Sequence, residues 1–343
     1  MLMTAVVLIA GGEGVYRLLG YWKNGTFDGL REYDPELAWR SARNYRGKDV
    51  EMRDKLGRPY ARALTTDARG SRLWGTRPGA PRLLFLGDSF TEAFEVSDDK
   101  TYGAVFSRLS GFDVYVLGTG AYGSLQEAML LKREVAEVRP DVLVLQFARN
   151  DFTNNSLALE RQTVVFQQMI RPYLVGGEVV YRFSEAHPYR LALRYSRLFA
   201  RIDVMVGLAL FRYYGDYNRT PPGPPLAELE RQAVEVSEQL LRMIAATVSP
   251  GTRLYAFNRD ESHHETNRTF EEICGKTGFR AIRDIGAYVD VLESRTVTML
   301  AEDGIHFNEL GNRLVGERLA RYFHDQGAAP AVAQVSRASG ATR

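Results

Sequence analysis

Arg82-Leu83-Leu84-Phe85-Leu86-Gly87-Asp88-Ser89-Phe90-Thr91-Glu92 is the stretch on which the fold turns. A short apolar run of strand length ends in Gly-Asp-Ser, and the residues after it can start a helix. A strand running straight into a helix sets their junction at the carboxyl edge of a parallel sheet, where open α/β folds hold their ligands. Ser89 then stands at a helix N-terminus, its hydroxyl among free N–H groups and the positive end of the helix dipole. That setting suits a nucleophile whose reaction builds negative charge. Taken alone, Gly-Asp-Ser reads first as a helix cap, since Asp and Ser are both favoured there.

Working outward, apolar runs at 83–86, 114–117, 142–147, 254–257 and 280–285 alternate with helical stretches at 101–109, 125–138, 226–247 and 266–277. A final helix spans about 308–324. This alternation predicts an α/β protein with a parallel sheet covered by helices on both faces. Upstream, residues 21–80 are rich in Gly, Pro and Arg, with Trp22, Tyr33, Trp39, Tyr45, Tyr60 and Trp74 among them. They read as short strands and loops packed on the main domain through those rings.

One interval breaks the rhythm. Residues 155–225 form an insertion ending in Pro221-Pro222-Gly223-Pro224-Pro225, a stiff linker by composition. Inside it Arg190, Arg194, Arg197 and Arg201 fall at helical spacing beside Leu191, Leu198, Ile202 and Met205. That pattern is read as the solvated face of a packed helix, with contact to an anionic membrane as the alternative. At the ends, residues 2–10 are apolar but too few to span a bilayer. Residues 1–20 are therefore taken as a truncated membrane anchor or a first helix, and 326–343 as a disordered tail. The main domain covers 81–325.

Composition narrows the function. A chain of 343 residues with 25% charged and 45% hydrophobic residues has an ordinary globular make-up. Its net charge of +2 asks for no nucleic-acid partner. The single Cys274 excludes an internal disulfide and a cysteine-based metal cluster, and reads as a small buried residue. His263-His264-Glu265 lacks further ligands to complete a metal shell. No phosphate-binding glycine loop with a following Lys-Ser/Thr is present. The expectation is an activity that uses neither metal nor cofactor.

Four separated pieces carry chemistry together: Gly87-Asp88-Ser89, Gly118-Thr119-Gly120-Ala121-Tyr122-Gly123, Arg149-Asn150-Asp151 and Asp303-Gly304-Ile305-His306. In a doubly wound sheet of order 2-1-3-4-5, the first three strands open on one crevice at the switch point. Ser89, the glycine-rich turn and Asn150 then share that crevice. The Ser89 N–H, an N–H of the turn and the Asn150 amide can converge on one oxygen, the donor set of an oxyanion hole. Asp303 and His306 are three residues apart, so one turn can set a carboxylate against Nδ1 while Nε2 faces Ser89. Each fragment has a plain alternative as a turn or cap; their joint order favours catalysis.

With those blocks quoted, the chain resembles the SGNH, or GDSL-type, serine esterases and acyl hydrolases over roughly residues 81–325. The resemblance implies a flavodoxin-like α/β/α sandwich on a five-stranded parallel sheet of order 2-1-3-4-5. It implies Ser89 as nucleophile, His306 as general base and acid, and Asp303 as its orienter. Oxyanion donors would be Ser89 N–H, a second-block N–H and the Asn150 side chain. The second block departs from the family pattern, with Ala121 where glycine is usual and Gly120 just before it, so both are candidate donors. Asp67-Ala68-Arg69-Gly70-Ser71-Arg72, with Glu13 and Arg17-Leu18, is similar to the lead-in of a bacterial envelope subgroup. That implies an extracytoplasmic enzyme, associated with the membrane through its N-terminus.

The expected activity is cleavage of a small-molecule or carbohydrate ester through an acyl-enzyme. The same site would serve an O-acyltransferase acting on envelope or exported polysaccharide. A non-catalytic carbohydrate-binding protein is the third reading, and it leaves the full set of reactive residues without a purpose.

Overall fold

The computed structural model describes residues 11–18, 31–47, 49–163, 169–214 and 226–327. The apolar 2–10 run, the 221–225 proline run and the tail from 328 lie outside them. The described residues begin with helix α1 (11–18) and two hairpins, β1 (Arg31–Asp34) with β2 (Ala38–Ser41) and β3 (Val50–Arg53) with β4 (Pro59–Arg62). Then come β5 (Arg82–Gly87), α2 (Ser89–Glu92), α3 (Tyr102–Ser110), β6 (Asp113–Gly118), α4 (Ser124–Val138) and β7 (Val142–Phe147). After α5 (Asn150–Asn155) and α6 (Leu157–Glu160) a third hairpin pairs β8 (Pro172–Val175) with β9 (Glu178–Tyr181). Helices α7 (Pro188–Tyr195), α8 (Arg197–Tyr214) and α9 (Leu226–Thr247) follow. The last described elements are β10 (Arg253–Asn258), α10 (His264–Thr277), β11 (Arg280–Ile282), α11 (Gly286–Leu292) and α12 (Glu309–Asp325).

The central sheet is parallel throughout, in the order β6-β5-β7-β10-β11. Numbered along the chain, that is the order 2-1-3-4-5. Its strands are apolar on both faces because helices cover both; every residue of β7 is buried. Alternation along β5 splits the core in two. Leu83 and Phe85 join Phe106 of α3 and Phe323 of α12 on one side. Leu84 and Leu86 join Leu131 of α4, Leu241 of α9 and Phe270 of α10 on the other.

Two elements differ from the sequence expectation, each for a local reason. The last strand ends at Ile282 rather than 285, because Asp284 takes φ 60° and the backbone turns. The N–H groups of Asp284, Ile285 and Ala287 then point at the Glu261 carboxylate, which closes the start of α11. The arginine-rich helix of the insertion is two helices, broken at Ser196 in extended conformation. Arg190 does not lie on an outer face. It is 1% exposed and bonds the Tyr33 hydroxyl and the Phe183 and Pro35 carbonyls.

The Glu13 carboxylate of α1 accepts the Arg197 and Leu198 N–H groups at the start of α8, and Arg17 reaches it from the next turn. Those bonds outweigh the effect of burial and hold its pKa down to about 2. Among the described residues no helix is long and apolar enough to cross a membrane.

Candidate active site

The sheet register assembles the site. Gly87 at the end of β5 pairs with Gly118 at the end of β6, and Leu86 pairs with Leu145 of β7. The three carboxyl ends therefore open on one rim. Gly87 is required there: an added Cβ would stand 2.3 Å from Thr91 Oγ1 and 2.6 Å from Gln146 Oε1. Gly118 is equally confined, with the Glu92 backbone nitrogen 2.6 Å from where its Cβ would be.

Asp88 does the capping work, its Oδ1 accepting the Phe90 N–H at 3.0 Å. Its Oδ2 accepts from Asn150 Nδ2 at 3.2 Å, which ties the first residue of α5 to the residue before Ser89. Burial pushes the Asp88 carboxyl up, against the pull of those two donors. Ser89 opens α2 and is half-buried.

His306 reaches Ser89 from the far end of the chain, Nε2 standing 2.8 Å from Oγ. Its Nδ1 is 2.5 Å from Asp303 Oδ2. The turn between them is fixed from within: Asp303 Oδ1 accepts the Ile305 and His306 N–H groups, and Gly304 supplies φ 71°. Asn308 follows as the N-cap of α12, accepting from the Leu310 and Gly311 N–H groups. Burial would depress the His306 ring, but the Asp303 hydrogen bond and the Glu95, Asp303 and Asp88 charges outweigh it, raising the pKa to about 9. Burial likewise opposes ionisation of Asp303, and the histidine wins, holding that carboxyl down to about 2.

The second block needs a correction. The Gly120 N–H is spent inside the protein, donated to the buried Glu92 carboxylate at 2.9 Å. Gly120 is thus not the donor of this turn. The next N–H, that of Ala121, has no partner among the described residues and sits on a left-handed backbone, φ 60°. That conformation accounts for glycine being favoured there, since a Cβ costs ~1–2 kcal/mol in it. Trp39 Nε1 donates to the Gly120 carbonyl at 3.0 Å, and the Tyr122 hydroxyl donates to the Trp39 carbonyl at 2.5 Å, so β2 holds the turn.

Sequence reasoning brought Ser89, Ala121, Asn150, Asp303 and His306 to this rim and missed two neighbours. Glu95 lies 3.4 Å from His306 Nδ1. Arg72 clamps the loop that carries Glu95, donating to the Glu92, Ala93 and Val96 carbonyls while pairing with Asp98. A lone Glu between Phe94 and Val96 is the only trace of the first in the sequence, and Arg72 ends the Asp67–Arg72 block with nothing there to mark it as a clamp. His263 and His264 stand at the start of α10.

No curated protein matches the chain. Solved structures resemble it distantly. They include TesA (15% identity over 71% of this chain and 98% of that one, TM-score 0.40). The lipase/acylhydrolase of Enterococcus faecalis gives 14%, with coverage of 72% and 96% and a TM-score of 0.40. An acetyl xylan esterase of the rumen bacterium Butyrivibrio proteoclasticus gives 12%, with coverage of 78% and 68% and a TM-score of 0.39. At that level of superposition it is the family match that carries the assignment. The family model described as GDSL-like lipase/acylhydrolase matches residues 85–314, from within β5 to within α12 and so across all four blocks. The chain belongs to the GDSL-like lipase/acylhydrolase family, a family of ester-cleaving enzymes.

Proposed function

We propose that the chain cleaves carboxylic esters of small molecules or carbohydrates through an acyl-enzyme on Ser89. Ser89 Oγ attacks the acyl carbonyl as His306 Nε2 takes its proton, and Asp303 stabilises the imidazolium that forms. The negative charge on the former carbonyl oxygen is met by the Ser89 and Ala121 N–H groups and the Asn150 amide. One Asn150 N–H is held by Asp88, which leaves the second for that oxygen. His306 then gives its proton to the departing alcohol. Water, activated by the same ring, attacks the acyl-enzyme, releasing the acid and restoring Ser89.

The observation that carries this reading is the continuous contact Ser89 Oγ–His306 Nε2 at 2.8 Å and His306 Nδ1–Asp303 Oδ2 at 2.5 Å. With a short-chain aryl ester, Ser89→Ala is expected to lose nearly all turnover and its labelling by a fluorophosphonate. Asn150→Ala should lose ~10²–10³ in kcat, as for removal of one oxyanion donor. Equal rates for wild type and Ser89→Ala would sink the mechanism. Profiling aryl esters of rising chain length and acetylated sugars identifies the acyl group and the alcohol.

A further inference from the structure

The Asp303-x-x-His306 turn supplies one carboxylate to the histidine, and the loop after α2 supplies another. Glu95 Oε1 lies 3.4 Å from the same Nδ1 that Asp303 Oδ2 approaches. The acid oxygens and the ring nitrogen all fall within 4.8 Å of one another. The settings of the two acids differ. The Asp303 side chain is 41% exposed, that of Glu95 13%. Charge attraction scales inversely with the local dielectric, so the less solvated Glu95 offsets its longer distance. Among the described residues Glu95 makes no other ion pair, and a buried carboxylate without a partner is costly. Burial raises its pKa, and the histidine's charge offsets only part of that rise. Its loop is held by the Arg72 fork on the carbonyls of Glu92, Ala93 and Val96, as a preorganised site requires.

We propose that Glu95 is a positioning residue of this site, a second carboxylate at His306 Nδ1 that shares with Asp303 the orientation of the ring and the stabilisation of the imidazolium. This rests on the roles of Ser89 and His306 proposed above. Either acid alone then sustains the base. The groups whose charge His306 feels are Asp303, Glu95 and Asp88. Behind them stand Arg62 of β4, whose charge interacts with Glu95, Glu92, which bears on Glu95, and Tyr60, which feels Glu95, Glu309, Asp303 and Asp54.

The experiment compares the full chain with Glu95→Gln, Asp303→Ala and the double variant, reading aryl-ester kcat and the NMR titration of the His306 ring. Each single variant should keep kcat within ~10² of wild type, and the double variant should fall by ~10⁴, the loss seen when a triad acid is disabled. Glu95→Gln should also lower the pH at which His306 titrates, with the acid limb of kcat/KM moving by the same amount. If Asp303→Ala alone falls as far as the double variant while remaining folded by circular dichroism, Glu95 has no such role. An unmoved His306 titration in Glu95→Gln overturns the proposal as well, whatever the fate of Asp303→Ala. Failure of the esterase reading itself looks different: wild type then neither labels at Ser89 nor exceeds Ser89→Ala in rate, while the ring titration still reports on Glu95.

Discussion

A serine hydroxyl 2.8 Å from an imidazole loses its proton to that ring only when the ring is neutral. With His306 raised to about 9, the resting ring is mostly charged at pH 7, and turnover should climb as pH rises, with the acid limb of kcat/KM centred near 9. Folding stability should move the other way. The folded His306 holds its proton more tightly than an ordinary histidine at 6.5, so its contribution is complete below 6.5 and is lost as pH rises through 9. Asp303 acts at the opposite end: lowered from 3.8 to about 2, it contributes above 3.8, and that is lost as pH falls through 2. Between pH 6.5 and 9 the chain should thus become more active and less heat-stable together. Parallel pH series of kcat/KM and Tm check this, and a rate that stays flat from 7 to 9 would count against it.

At the scale of elements, the piece that matters is the loop from Ala93 to Val96, because it follows Ser89, the proposed nucleophile, and carries Glu95. Ala93 leaves α2 with φ 49°, and the loop has no ladder of its own. Arg72, 5% exposed, replaces that ladder with a planar fork. Arg72→Met should leave the Glu92, Ala93 and Val96 carbonyls without this donor, costing roughly 1–3 kcal/mol, and kcat should drop as the loop loosens. Arg72→Lys keeps the charge without the fork and should recover only part of either loss. A urea midpoint for Arg72→Met equal to that of wild type would exclude the clamp.

The strands, by contrast, were open to reading. Apolar runs such as Leu83-Leu84-Phe85-Leu86 have few alternatives once helices alternate with them, and the blocks at their ends located Ser89 and Asn150. What escaped were features set by distant partners. Arg190 has the spacing of an outer-face arginine, and only the arrival of Tyr33 and Pro35 makes it a buried tie. The glycine-rich turn leaves the Gly120 N–H free by pattern, and only the buried Glu92 carboxylate, 28 residues before it, takes it up.

Over the whole molecule, the residues before β5 and those between β7 and β10 meet on α4 and brace the second block from behind. Leu37, Trp39, Tyr122 and Ile170 form one buried cluster. Gln126 of α4 links the two regions, donating to the Leu37 carbonyl and accepting from Arg171, whose guanidinium lies 5.1 Å from the Trp39 ring centre. Arg171 in turn pairs with Glu160, both nearly fully buried. None of these contacts follows from a period or a motif, since all but the Arg171–Glu160 pair join residues dozens of positions apart. Their common product is the left-handed Ala121, the proposed oxyanion donor, with the Gly120 carbonyl before it held by Trp39. Trp39→Phe tests whether that brace reaches the chemistry. It keeps a buried ring but removes the Nε1 donor from Gly120, which should cost about 1–3 kcal/mol for the stranded carbonyl. With the turn less firmly held, kcat on an aryl ester should fall about tenfold while KM changes little, the pattern of an interaction made mainly in the transition state. If Trp39→Phe loses the expected stability yet turns over at the wild-type rate, the brace is structural only, and the Ala121 N–H is aimed by its own turn.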